Sequence, residues 1–215
     1  MKQLVPLVIA VDGPAASGKG TVARALARHF GLGHLDTGKL YRAVGLAVRR
    51  SGGDPGDAAL AEAAAIALDE TLLDEPDLMS ADNAQAASIV SAHPAVRAAL
   101  LTRQRAFAAQ AKGAVLDGRD IGTVIAPDAP AKLFVTASPD VRAARRAAEL
   151  ARAGHVLSHE TVLGDILARD ARDSGRHAAP LTKASDAVLL DTTNLDIGAA
   201  VTQAIALVEA RLRGG

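Results

Sequence analysis

Residues Gly13, Pro14, Ala15, Ala16, Ser17, Gly18, Lys19, Gly20 and Thr21 combine backbone freedom with one fixed positive charge. Gly13 and Gly18 permit backbone angles that a side chain forbids, so successive amides can converge on a single anion. Lys19 adds a mobile cation for outer phosphates. The apolar run 7–11 precedes this stretch. After it, Val22, Ala25, Leu26 and Phe30 recur at helical spacing, with Arg24 and Arg28 mostly off that stripe. A strand, a glycine-rich turn and a helix that begins near Lys19 form the context in which such a turn binds nucleotide phosphates, because the helix contributes unpaired amides and the positive end of its dipole.

The ending Gly-Lys-Gly-Thr departs from the common pattern, in which Ser or Thr follows the lysine directly and ligates magnesium. Gly20 stands there instead and Thr21 comes one residue later. This ending resembles nucleoside monophosphate kinases more than motor ATPases or GTPases. It leaves magnesium to be held mainly by phosphates and water.

The elements that must position this loop follow from periodicity and breaks. Residues 33–37 form a short strand, 39–50 a helix, and Gly52-Gly-Asp-Pro-Gly56 a strong break. The alanine-rich stretch 57–92 reads as helical pieces of an insertion, interrupted at 74–77. Pro94 restarts a helix that should run to about Lys112. Strands are expected at 114–117, 131–137 and 187–191. Ser138, Pro139 and Asp140 supply a cap, a first-turn proline and a first-turn acid for a helix to Arg152. A turn near Gly154 and a second helix, 158–174, complete a helical hairpin. The last helix carries Ile197, Val201, Ile205, Val208 and Leu212 on one stripe.

Five short apolar strands alternating with helices predict an α/β fold with a five-stranded parallel sheet covered on both faces. Ligands of such sheets bind at the carboxyl ends of the strands. Asp12, Asp36, Thr37 and the segment from Asp117 to Asp120 would collect along that edge.

Composition narrows the function. The 215 residues are enough for one good core and a small insertion, and 49% of them are hydrophobic, which places the chain among globular proteins. Only 2% are aromatic, so aliphatic residues must fill the core. Lys plus Arg and Asp plus Glu balance at 24 each, which gives no global field for nucleic acid. The lack of cysteine excludes disulfides and thiol catalysis and fits a reducing compartment. Lys2 and the apolar run 4–11 have the look of a short signal sequence, but Asp12 and the phosphate loop follow at once, so the run is read as the central strand. No run approaches the ~20 apolar residues of a membrane helix, and a cytoplasmic protein with no membrane or nucleic-acid partner is expected.

Several segments together resemble bacterial cytidylate kinases. They are residues 13–21, Leu35-Asp-Thr-Gly-Lys-Leu-Tyr-Arg42, Asp117-Gly-Arg-Asp-Ile-Gly-Thr123 and Arg169-Asp-Ala-Arg-Asp-Ser-Gly-Arg176, with 127–132 and 184–191 in support. The resemblance spans nearly the whole chain and is weakest over 52–82. It implies a P-loop kinase fold with a core of residues 1–51, 113–138 and 177–215. It also implies a helical insertion for the nucleoside monophosphate (52–112) and a short helical-hairpin lid (139–176). It further implies a monomer that uses ATP with Mg2+ and acts on CMP and dCMP.

By that resemblance, Arg42, Arg119 and nearby Thr37 hold the acceptor phosphate. Asp120, Arg97 and Ser88 read the base, since a carboxylate accepts from the cytosine amino group but opposes the uracil carbonyl. Arg169 and Asp173 contact the ribose, and Arg176 lies close to the acceptor. Arg142, Arg145 and Arg146 serve ATP and the transferring group. Asp117 is the candidate for a water-mediated magnesium contact.

Arg142, Arg145 and Arg146 share one helix face, as do Arg169, Arg172 and Arg176, which costs roughly 0.2–0.5 kcal/mol per like-charged pair. Glu149, Asp170 and Asp173 offset part of this. Such a face is either a salt-bridged surface or a lid that closes on phosphates. His155 and His159 sit four apart without a third ligand, which argues against a metal site. His29, His34, His93 and His177 are expected to face solvent. The competing activities are phosphorylation of AMP, shikimate or a coenzyme precursor, or a nucleotide-gated switch without catalysis.

Overall fold

The computed structural model describes residues 6–152 and 154–214. In chain order the elements are β1 (Val8–Asp12), α1 (Lys19–Phe30), β2 (Gly33–Asp36), α2 (Thr37–Arg50), α3 (Ala58–Ile66), α4 (Ala81–Val90), α5 (Pro94–Ala108), β3 (Ala114–Gly118), β4 (Ala131–Thr136), α6 (Pro139–Arg152), α7 (His159–Gly175), β5 (Val188–Asp191) and α8 (Ile197–Arg213). They form two compact units, one made of the described residues up to Leu35 and from Arg105 onward, the other of Asp36–Gln104.

The first unit is built on a five-stranded sheet in the order β2-β3-β1-β4-β5. β1 pairs in parallel with β3 and β4, and β4 pairs in parallel with β5. β1 therefore lies at the centre, and the chain passes first to one side of it and then to the other. That reversal opens a crevice beyond its carboxyl end. Strands β1 and β3 read as near-continuous aliphatic runs because both faces are covered. Ile9, Val11, Val22, Leu26, Val115, Leu133, Val135, Leu190, Ala204 and Val208 pack into one core. At the edge, β5 alternates instead, and Leu189 is 54% exposed.

The hairpin begins as its residues dictate. Ser138 Oγ accepts from the Val141 amide at 3.4 Å, Pro139 occupies the first turn of α6, and Asp140 faces the dipole. Leu150 and Ala151 carbonyls close the helix end by accepting from His155 and Gly154 at 2.9 and 3.0 Å. Ser158 caps α7 through the Thr161 amide at 3.1 Å. α6 and α7 pack against one another.

The second unit has a separate core. Leu40, Val44, Leu46 and Val48 of α2 meet Ala61 and Ala65 of α3, Ala87 and Val90 of α4, and Val96 and Leu100 of α5. Two short 3-10 turns, Glu70–Asp74 and Pro76–Met79, occupy the interruption read at 74–77. Buried alanines let α2 and α4 approach closely, so this core forms with little aromatic bulk.

Two expectations fail locally. α5 ends at Ala108 and not near Lys112, because the chain turns at once and the Gly113 amide bonds the Gln110 carbonyl at 2.8 Å. The predicted stripe of α8 holds in its second half and fails at its start. Val208 is fully buried and Ile205 and Leu212 pack against the core, whereas Ile197 is 71% exposed and Ala200 and Ala204 complete the buried face that meets α1. Among the described residues, no helix is long and apolar enough to cross a membrane. Lys2 and residues 4 and 5 of the signal-like run lie outside the described residues.

Candidate active site

The loop between β1 and α1 has the geometry of an anion cradle. Gly13 (φ +153°) is obligatory, since a Cβ there would sit 2.0 Å from the Val135 carbonyl oxygen of β4. Gly18 takes φ +89° and Ala16 takes φ +57°, so left-handed residues turn successive amides inward. Gly18 is the N-cap of α1 without a side-chain cap, and the first turn holds no acid to compete with an anion. Lys19 Nζ donates to the Pro14 carbonyl at 3.3 Å, folding its charge over the loop. Ser17 is fully buried, and its Oγ has no hydrogen-bond partner among the described residues.

Asp12, the last residue of β1, is 5% exposed. Its Oδ1 accepts from the Ile121 amide and its Oδ2 from the Gly122 amide, each at 2.8 Å. Burial pushes its carboxyl up to about 6, and the Asp120 charge adds to this, against the lowering effect of the two amides and Arg119. Because the folded pKa lies above the ordinary 3.8, the native state holds this proton between pH 4 and 6 while the unfolded chain has lost it. The stability of the wild-type protein relative to Asp12→Asn should therefore fall as pH rises through that window, by at most about 3 kcal/mol. Urea unfolding of both proteins at pH 4.5 and 7 measures this, and a difference that grows with pH contradicts it.

Asp117 is 2% exposed near the end of β3, and its Oδ2 pairs with His34 Nε2 at 2.7 Å. A Cβ on Gly20 would lie 4.0 Å from that oxygen, so the carboxylate adjoins the start of α1. Among the described residues no group of three His, Cys, Asp or Glu could hold a metal. His34 was expected to face solvent but is held half-buried by this pair, and His93 is held half-buried by the Pro55 carbonyl at 2.9 Å. Of the four-apart pair, His159 Nε2 stands 3.6 Å from Asp140.

The hairpin arginines are tied to named partners. Arg142 is 3% exposed and acts as a strut. Its Nε donates to the Ala137 carbonyl at 3.0 Å, its Nη1 to the Ala15 carbonyl at 3.3 Å, and Nη1 and Nη2 grip Asp170 at 3.1 and 2.6 Å. Arg145 donates to Thr192 Oγ1 at 2.9 Å and to the Thr192 carbonyl at 2.7 Å. Its Nη1 would lie 3.8 Å from a Cβ on Gly18. Arg146 pairs with Glu149 at 3.2 Å.

A second cluster gathers around Asp173, which is 3% exposed. Arg119 Nε donates to its Oδ2 at 2.8 Å, with Arg169 and Arg176 at 3.9 and 3.8 Å. Burial would raise this carboxyl, but Arg119, Arg169 and Arg176 together hold it below the usual carboxylate range. Arg119 thus reaches Asp173 of α7 from the tip of β3. Asp120 is 4% exposed and opens the short π turn Ile121–Ile125.

In the second unit, Thr37 is buried at the start of α2, whose first turn also lacks an acid. Arg42 Nη1 donates to the Leu78 carbonyl at 3.2 Å. Arg97 is 9% exposed, stacks over the Tyr41 ring at 5.3 Å, and donates to the Ser91 carbonyl at 3.2 Å. Ser91 Oγ in turn donates to the Ser88 carbonyl at 3.0 Å, so Arg97, Ser91, Ser88 and Tyr41 form one polar group.

This arrangement is matched by sequence. A family model described as cytidylate kinase covers residues 9–210. The chain belongs to the cytidylate kinase family. It is 61% identical to a cytidylate kinase of Xanthobacter autotrophicus, covering 97% of this chain and 100% of that protein. A cytidylate kinase of Azorhizobium caulinodans is 58% identical with the same coverage, and one of Methylocella silvestris is 58% identical over 94% of each chain. The crystal structure of an uncharacterized protein from Eubacterium ventriosum shares the fold, with TM-score 0.52 and 18% identity over 95% of this chain and 99% of that one.

Within this cytidylate kinase fold, sequence reasoning placed Asp12 at the ligand-binding edge without its clamp on the Ile121 and Gly122 amides, and missed His34, Tyr41 and Thr192 as members of the polar groups. Asp12 and Thr192 were accessible from topology, since each ends or follows a parallel strand at the ligand-binding edge. Thr192 Oγ1 donates to the Ser17 carbonyl at 3.0 Å, which carries the β5–α8 connection to the phosphate loop. His34 and Tyr41 gave no signal in the sequence, because their partners are distant along the chain.

Proposed function

We propose that the chain transfers the terminal phosphoryl group of ATP to CMP and dCMP, releasing ADP with CDP or dCDP. The observation that carries this reading is the cytidylate kinase match over residues 9–210, and the phosphate cradle of the β1–α1 loop is what the donor nucleotide requires. The acceptor is a phosphate oxygen, largely deprotonated at neutral pH because a monoester's second pKa is about 6. No side-chain base is needed. Catalysis consists of aligning two anions and offsetting their charge.

In this reading the loop residues Gly13–Thr21 hold the phosphates of ATP through their amides and the dipole of α1. Lys19 follows the transferred group. Arg145 and Arg146 add charge to ATP and to the transition state. Arg142 contributes by holding the loop, since its guanidinium bonds the Ala15 carbonyl. Arg119 and Arg176 bind the acceptor phosphate, with Asp173 keeping both guanidinium groups gathered before CMP arrives. Arg42 and Thr37 share the acceptor phosphate, Arg169 and Asp173 take the ribose, and Asp120, Arg97 and Ser88 read cytosine. Magnesium accompanies ATP and supplies charge neutralisation at its phosphates. Asp117 fits a water-mediated contact to it, being a buried carboxylate beside the start of α1. The reading includes a monomer, as the family resemblance implies, and a cytoplasmic location, which is consistent with the lack of a membrane-length apolar helix among the described residues.

The test is a substrate panel on the full chain, following ADP release from Mg-ATP with CMP, dCMP, UMP or AMP. CMP and dCMP should drive the reaction, UMP less. AMP-dependent turnover without CMP turnover overturns the reading in favour of another small-molecule kinase. Slow hydrolysis indifferent to all four favours a nucleotide switch.

A further inference from the structure

We propose that Asp12 is a positioning residue for the acceptor-reading segment: its buried carboxylate, clamped on the Ile121 and Gly122 amides, sets where Arg119 and Asp120 stand relative to the phosphate loop. The inference rests on the acceptor roles given to those two residues in the reading above.

The turn Ile121–Ile125 has N–H groups at its start that no carbonyl within the turn can satisfy, as every helical segment does. The residue in the capping position is Asp120, whose side chain would ordinarily accept from them. It makes no such cap bond. The two amides are instead satisfied by Asp12, more than a hundred residues earlier, with one carboxylate oxygen for each at 2.8 Å. Asp12 thereby ties the start of this turn, and with it the preceding residues Arg119 and Asp120, to the end of the central strand.

Asp12 also has the right attachment for this role. It ends the central strand and is followed directly by Gly13, so the carboxylate is fixed to the frame that holds the phosphate loop. Its backbone pairs with Gly118, immediately before Arg119. The aliphatic stem of Lys132 closes the other side. A Cβ on Gly122 would lie 3.1 Å from Lys132 Cδ and 3.3 Å from Asp12 Oδ2. The Lys132 ammonium itself is directed to Asp186, at 2.8 Å, and to the Pro127 carbonyl. The clamp is thus a carboxylate held on two amides, with the Arg119 charge acting on it as well.

The test compares wild type, Asp12→Asn and Gly122→Ala as full chains. Asn preserves size but turns an N–H donor toward an amide donor, and a methyl at Gly122 pushes directly on the clamp. Both variants should raise KM for CMP about tenfold while KM for ATP changes less than about twofold, and both should lower the CMP-to-UMP preference. Adding Asp12→Asn to Asp120→Ala should lower that preference no further, because the two act through one segment. Amide exchange at residues 121 and 122 should accelerate in Asp12→Asn while the loop amides are unchanged. Equal loss toward both nucleotides, or an unchanged KM for CMP in a folded variant, overturns the proposal. If Asp12→Asn does not fold, Gly122→Ala reads out the same kinetic split. If wild type does not phosphorylate CMP, the functional reading fails separately, and unaltered exchange at 121 and 122 would still refute the clamp.

Discussion

Lys19→Ala should lower kcat by about 10²–10³-fold, the usual cost of removing one preorganised charge from a phosphoryl-transfer site. The expected magnitude follows from position. Lys19 is the first residue of α1, its ammonium lies over the loop at the Pro14 carbonyl, and its side chain is no part of either apolar core. Thermal unfolding should be nearly unchanged, so the loss is catalytic and not structural. KM for ATP should move less than kcat, because the loop amides and the helix dipole still hold the ground-state phosphates. A variant that keeps near-native kcat would remove the loop from the chemistry. One that unfolds near room temperature would move Lys19 from the site to the scaffold.

Asp120→Asn should cost less in rate and more in choice. In the proposed role the carboxylate would accept from the cytosine amino group and oppose the uracil carbonyl oxygen, whereas an amide can satisfy either by turning over. The ratio of kcat/KM for CMP over UMP should fall by about tenfold, within the ~1–3 kcal/mol that one base-reading pair is worth. KM for ATP should hold. Asp120 is 4% exposed, so the isosteric change is preferable to alanine for this comparison. An unchanged ratio with a raised KM for ATP would reassign the residue to the donor side.

The parts of this molecule that were legible in the sequence are those whose causes are local. An apolar run, two glycines at fixed separation and a helical stripe sufficed for β1, the loop and α1, because each requirement is satisfied within a few residues. The cap of α6 was likewise legible, since Ser138, Pro139 and Asp140 act on the turn that follows them. The buried face of α8 was legible only in part. Periodicity of large apolar residues found Ile205, Val208 and Leu212, but at the start of the helix it pointed to Ile197, where Ala200 and Ala204 allow closer approach to α1 and form the buried face instead. His34 illustrates the same limit for polar groups. Its partner Asp117 lies 83 residues away, and only the pairing of the parallel strands brings the two together.

The arginines divide along the same line. Their abundance on the hairpin was visible, and so was their need for counter-charges. The sequence could not say that Arg142 is buried against Asp170 and Ala15 as a strut, or that Arg119 reaches across to Asp173. Burial of a paired charge depends on the tertiary environment, and breaking one such pair typically costs about 3–5 kcal/mol. The Asp12 clamp belongs to this class as well, since the amides it satisfies are set by β1 and β3 lying side by side.

The most direct test of the account is transfer of label from γ-labelled ATP to a nucleotide acceptor by the purified full chain in the presence of magnesium. The account predicts that label appears on CDP when CMP is supplied, in proportion to ADP formed, and that Lys19→Ala abolishes nearly all of it. Label that appears only as inorganic phosphate, at a rate indifferent to CMP, would contradict it.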